Sequence, residues 1–205
     1  MKLPKNLLEV MELFRKDIFL SKTIREISLT LKRPYPKIHA AITELGKRNI
    51  LAISTIGHSS MCALKLSKEA ISLLSFLDAQ EAIASRVPNI DKVLEFSDFF
   101  DDIIIVAGSY AKGTQSKKSD IDIVIIPKTD AIHKQKALEN LTLTFFPPVH
   151  PLSFTRQDFI DMLLSKKENF GKEVFRNHLI FSNAERYHLL VKEAIGHGFR
   201  SENLS

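Results

Sequence analysis

Asp120 and Asp122 stand one residue apart at the head of an apolar run, shortly after the stretch Gly108-Ser109-Tyr110-Ala111-Lys112-Gly113-Thr114. On a strand, residues two apart project to the same side, so the two carboxylates can hold a divalent ion between them. Hard oxygen donors of this kind, beside nucleotide phosphates, suit Mg²⁺ or Mn²⁺. Upstream, Ile103-Ile104-Ile105-Val106 is a continuous β-branched run of the sort a buried strand shows. Gly108-Ser109 then opens a turn and short helix whose first N–H groups lack partners. Glycine lets a phosphate oxygen approach them, and the Ser109 hydroxyl adds a donor. Gly113 suits the reversal before the next strand, 121–126. The alternative is a plain strand-turn-strand in which Ser119-Asp120 starts a strand and the glycines shape the turn, against which stand the matched spacing and the two carboxylates in phase. Lys112, Lys117 and Lys118, in the connecting loop with Ser119, either add charge to a phosphate chain or solvate the loop.

The pattern Gly-Ser-x-Ala-x-Gly-Thr followed by Ser119-Asp120-Ile121-Asp122-Ile123 resembles the signature of the DNA polymerase β-like nucleotidyltransferase superfamily, close to its small prokaryotic members. The similar layout extends over about 101–154, which the family fills with a small mixed sheet flanked by helices. The resemblance implies that Gly108 and Ser109, with Lys112, Gly113 and Ser119 around them, bind the phosphates of an NTP such as ATP. It further implies that Asp120 and Asp122 bind Mg²⁺ (or Mn²⁺) for transfer of a nucleoside monophosphate.

Family enzymes usually carry a third carboxylate on a later strand, as metal ligand and base. The corresponding strand here is 149–154, and no Asp or Glu occurs in 145–154. His150 is the one titratable group at an inward position. It can serve as catalytic base or soft ligand, or be a histidine at a strand edge bracketed by prolines. A domain that senses or binds nucleotide with weak or no catalysis is the corresponding alternative.

The first third of the chain reads differently. Leu7, Leu8, Met11, Phe14 and Ile18 form an apolar helical stripe, and Ser21 or Thr23 can cap a second helix carrying Ile24, Ile27 and Leu31. A third helix is expected over 35–48, with Ile38, Ile42 and Leu45 inward. Strands at 50–54 and 61–66 around Gly57-His58-Ser59-Ser60 make a hairpin. Three helices and a hairpin of this size resemble a winged helix-turn-helix domain, in which the third helix enters the major groove of double-stranded DNA and the wing reaches the backbone. By position, Arg33, Tyr35, Lys37, His39 and Lys47 belong to or precede the recognition helix, and His58 tips the wing. Residues 1–66 hold 12 Lys/Arg against 5 Asp/Glu, whereas 67–205 hold 17 against 19. Positive charge therefore gathers in the candidate DNA reader, which is also what a solvated basic surface used for protein contacts would show.

The expected organisation is mixed α/β (α+β): a winged helix at 1–66, a linker helix at 67–87 stopped by Pro88, and a nucleotidyltransferase-like domain at 88–205. From Thr155 onward the pattern reads as helical throughout, with a fraying end after Gly196. The apolar linker helix should pack on its neighbouring domain or on its copy in a homodimer. Small nucleotidyltransferases of this type often sit beside a helical toxin subunit, so the resemblance also raises an antitoxin or DNA-binding transcriptional regulator.

No run of about 18 apolar residues and no signal-peptide core is present, so a cytoplasmic protein without a membrane partner is expected. Cys62 is the sole cysteine, which excludes an intramolecular disulfide and a cysteine zinc site.

Overall fold

The computed structural model describes residues 4–204, which fall into two compact units divided between Leu77 and Asp78. The first unit runs α1 (Lys5–Lys16), β1 (Ser21–Thr23), α2 (Ile24–Leu31), α3 (Tyr35–Lys47), β2 (Leu51–Ile56) and β3 (Ser59–Leu64). The second-unit boundary falls inside α4 (Lys68–Ser85). Leu7, Val10, Met11 and Phe14 of α1 close on Ile27, Ile38, Ile42 and Leu45 and on Ala70 and Leu74. Thr23 starts α2 through a full capping box with Glu26, which satisfies two of the N–H groups a helix start leaves open. Strand order is β1-β3-β2, all antiparallel.

The hairpin is longer and tighter than the sequence suggests. Its strands reach Ile56 and restart at Ser59, so only Gly57 and His58 make the turn, with Gly57 at φ +61°. Strand β1 is too short to show a period. Ile18 lies beyond the end of α1, and α4 ends at Ser85 rather than at Pro88, because Arg86 takes a left-handed conformation.

The second unit continues through α5 (Ile90–Leu94), β4 (Ile103–Val106), α6 (Gly108–Lys112), β5 (Ile121–Ile126), α7 (Ala131–Thr142), β6 (Val149–Ser153), α8 (Arg156–Leu164), α9 (Phe170–Arg176), β7 (Leu179–Ser182) and α10 (Ala184–Gly196). Its mixed sheet has the order β6-β5-β4-β7, with β5 parallel to β6 and antiparallel to β4, and β7 antiparallel on the far side of β4. Ile104, Val106, Ile121, Ile123 and Ile125 form a core with Val93, Phe99 and Leu138. Phe159 and Leu163 of α8, Val174 of α9 and Leu190 and Val191 of α10 are also buried, with α8 packed on α9 and α10. Burial throughout β4 explains its unbroken β-branched sequence. On α4, Asp78 reaches His188 of α10 at 2.6 Å, both buried.

Two expectations for the C-terminal region give way. Leu179, read as helical, begins β7, a four-residue strand whose sequence Leu-Ile-Phe-Ser has no period to tell it from a helix turn. Up to Leu204 the expected fraying is not seen: Phe199 is fully buried edge-on against Phe175, and Ser201–Leu204 form a 3₁₀ turn held by Arg176, which donates to the Leu204 carbonyl at 2.6 Å. Among the described residues, no helix is long and apolar enough to cross a membrane.

Candidate active site

At the end of β4 the chain turns through Ala107, whose N–H donates to the carbonyl of Asp122 at 2.9 Å. Gly108 follows at φ +62°, a conformation that costs an L-residue about 1–2 kcal/mol. Side-chain space is the stronger demand. A Cβ on Gly108 would overlap Oδ2 of Asp122 and come within 3.1 Å of its Cγ. Gly108 of the turn and Asp122 of β5 are therefore one packed feature, which the sequence shows only as two separate motifs.

Helix α6 ends at Gly113, left-handed at φ +67° with open space around it, so its role is conformational. Thr114 N–H returns to the Ser109 carbonyl at 2.9 Å. Ser119 staples the exposed loop that follows, its Oγ accepting from Ser116 N–H at 2.9 Å. Asp120 is exposed just before β5, and the Asp122 side chain keeps about a quarter of its surface open (24%).

Parallel pairing of β5 with β6 sets Asp122 opposite His150. His150 Nδ1 lies 3.0 Å from Asp122 Oδ1, so this carboxylate offers one oxygen to the imidazole and turns the other to the Gly108 bend. His150 remains more than half exposed (59%). The entry to β6 is fixed by Ile121 N–H donating to the Pro148 carbonyl at 2.9 Å and by Asn89 Nδ2 donating to the Phe146 carbonyl at 3.0 Å. Asn89 and Glu173 are participants that sequence reasoning missed. Glu173, from α9, holds Lys112 Nζ at 2.7 Å, and no sequence signal links positions so far apart. Lys112 is thereby tied by an ion pair beside the turn.

Among the described residues, no three His, Cys, Asp or Glu side chains converge as a ready-made metal cage. Asp122 on β5 and Asp120 just before it are hard oxygen donors, the class of ligand that suits a divalent cation.

The first unit separates the six candidate DNA contacts. Tyr35 and His58 line one cleft with Arg25, Leu29, Ser59 and Ser60, and His39 stacks near Tyr35 with ring centroids 5.9 Å apart. Lys37 is exposed in the first turn of α3. Arg33 is clasped by Glu9 through two hydrogen bonds of 2.9 and 2.6 Å, which hold the Glu9 carboxyl below its usual range. Lys47 sits at the opposite end of α3, about 18 Å along the helix from Tyr35, in the wall of a different groove. Arg25 is the cation the sequence reading overlooked, because it belongs to α2 and reaches the wing only in three dimensions.

Residues 89–186 match the family model described as Polymerase beta, Nucleotidyltransferase. The matched span takes in α5 through β7, including the Gly108 turn, both aspartates and His150. It supports the nucleotidyltransferase superfamily for this part of the chain, and nucleotidyl transfer as its general chemistry. Comparison with curated proteins and with solved structures returns no match.

Proposed function

We propose that this chain is a Mg²⁺- or Mn²⁺-dependent nucleotidyltransferase that moves a nucleoside monophosphate from an NTP to an acceptor hydroxyl, and that its first unit is a winged helix-turn-helix reader of double-stranded DNA. The observation that carries the reading is the contact between Gly108 and Asp122. A bare Cα is demanded there by the Asp122 carboxylate, which supports reading the turn and this carboxylate as parts of one site.

In this reading Gly108, Ser109 and Gly113 shape the turn that receives the phosphates, Lys112 adds positive charge from one side, and Ser119 fixes the loop. Asp120 and Asp122 would hold the divalent ion, which supplies charge neutralisation on the triphosphate and its leaving group. His150 with its Nδ1–H donated to Asp122 carries a lone pair on Nε2, which takes the proton of the acceptor hydroxyl. The acceptor oxygen forms a bond to the α-phosphorus as the bond to pyrophosphate breaks. Positioning supplies most of the acceleration in phosphoryl chemistry of this kind. For the DNA module, Tyr35, Lys37, His39 and His58 are the presented contacts, with Arg33 and Lys47 contributing charge.

One observation favours a second reading, a DNA-binding regulator or antitoxin, partnered by a helical toxin or by its own copy through α4, with a catalytically weak nucleotide domain. The residue paired with Asp122 across β6 is an exposed imidazole rather than a carboxylate. The two readings separate in one assay. Each α-labelled NTP is incubated with Mg²⁺ or Mn²⁺ and extract of the source cells, using wild type and the Asp120→Asn/Asp122→Asn double variant. Transfer by wild type alone supports the enzyme; label moved equally by the double variant, or by neither protein, refutes it.

A further inference from the structure

The lysine read as meeting the phosphate chain already has an anionic partner. Lys112 closes α6 one helical turn after Gly108, about 6 Å along the axis, and its Nζ lies 2.7 Å from Glu173 Oε1. Glu173 stands on a fixed support. A Cβ at Gly171 would come within 2.6 Å of the Met162 side chain, so α9 packs closely on α8, and Val174 beside Glu173 is fully buried. Arg176, one turn on, feels the Glu173 carboxylate but is itself clasped by Glu168 at 2.9 and 2.6 Å. Lys112 is therefore the direct partner of Glu173.

A carboxylate beside a turn that receives phosphates calls for a reason. Stability does not supply it: each side chain leaves 40% of its surface open, and an ion pair so exposed contributes little to folding. Metal ligation does not supply it either, because among the described residues no three His, Cys, Asp or Glu side chains, Glu173 included, converge to hold an ion. Competition does. Glu173 and a phosphate oxygen are rival anions for one ammonium group, and once Lys112 turns to the phosphate, the Glu173 charge is left facing it. That repulsion grows with the charge of the ligand, about −4 for a free NTP, about −3 for pyrophosphate and about −2 for an NTP carrying a divalent ion. Resting on the nucleotide site of the preceding section, we propose that Glu173 is a specificity-determining residue. It holds Lys112 until a phosphate takes it, and it selects the metal–nucleotide complex against metal-free polyphosphates, pyrophosphate included.

Equilibrium binding to the full-length chain tests it with three probes: a non-hydrolysable NTP analogue in EDTA, the same analogue with Mg²⁺, and pyrophosphate in EDTA. Glu173→Gln keeps the shape of the side chain and removes its charge. Glu185→Gln removes the same charge at the start of α10, where β7 leaves the sheet at the end away from Gly108. With gains in log affinity scaling with ligand charge, Glu173→Gln should bind the free analogue about 10-fold, pyrophosphate about 5-fold and the Mg²⁺ complex about 3-fold more tightly than wild type. Glu185→Gln should stay within about 2-fold for all three, and both variants should unfold thermally as wild type does. Metal-free affinities that are unchanged in Glu173→Gln, that rise no more than for the Mg²⁺ complex, or that rise equally in Glu185→Gln overturn the proposal. So does weaker binding of the Mg²⁺ complex by Glu173→Gln, which would make Glu173 a support for Lys112 rather than its rival ligand. A wild type that binds no analogue with Mg²⁺ fails in a different way, refuting the nucleotide site and the proposal with it.

Discussion

Replacing Gly108 and Gly113 by alanine, one at a time, separates the backbone demand of the turn from the demand made by the carboxylate. Both glycines are left-handed, at φ +62° and +67°. Each alanine should therefore cost about 1–2 kcal/mol in a urea-unfolding titration. Beyond that the two differ. A methyl at Gly113 meets nothing within 4 Å, whereas one at Gly108 overlaps Asp122 Oδ2. That oxygen ends a short side chain that can rotate aside, so the clash adds little to the stability loss. Relief instead moves the carboxylate by about an ångström, a displacement that costs on the order of 100-fold in a positioned reaction. Gly108→Ala should thus lose about 100-fold in nucleotide transfer, or in binding of a metal–nucleotide complex, while Gly113→Ala stays within a few-fold of wild type. Equal function in two variants of equal stability would refute the claim that turn and carboxylate form one site.

Other outcomes follow from single contacts. His188→Ala removes the imidazole hydrogen-bonded to buried Asp78 and should destabilise the second unit by about 1–3 kcal/mol, read by chemical denaturation. Burial pushes the Cys62 thiol up to about 11, so iodoacetamide at pH 8 should leave the folded protein unmodified over a time in which the urea-unfolded chain reacts fully, as followed by mass spectrometry. In a duplex-DNA titration, Arg25→Gln should reduce the slope of log affinity against log salt by about 1, and Tyr35→Ala should weaken binding. Unchanged slope and affinity in both variants would count against the cleft as the DNA face.

The parts of the site legible in the sequence were those whose chemistry and backbone geometry coincide. Gly108-Ser109 after a β-branched run, and Asp120 and Asp122 two apart at the head of a strand, can be read by eye because strand period and turn chemistry are local rules. The register that sets His150 against Asp122 comes from the parallel pairing of β5 with β6, which the sequence leaves open. What escaped depends on distance. Glu173 meets Lys112 and Asn89 meets the Phe146 carbonyl only after the sheet and its helices have packed. Strand β7 escaped for a different reason: four residues carry too few periods, and its identity comes from pairing with β4. The buried end was misjudged because Phe199 lies among polar and glycine residues, and its burial against Phe175 is a tertiary event.

Equilibrium binding of Mn²⁺ with a non-hydrolysable NTP analogue, followed by electron paramagnetic resonance, tests the central claim without knowledge of the acceptor. Two carboxylates that complete a metal shell through phosphate oxygens predict tight Mn²⁺ binding only when the analogue is present, lost in Asp122→Asn and strongly weakened in Gly108→Ala. Mn²⁺ binding that ignores the analogue, or that persists unchanged in Asp122→Asn, would contradict the assignment of Asp120 and Asp122 to a nucleotide-linked metal site.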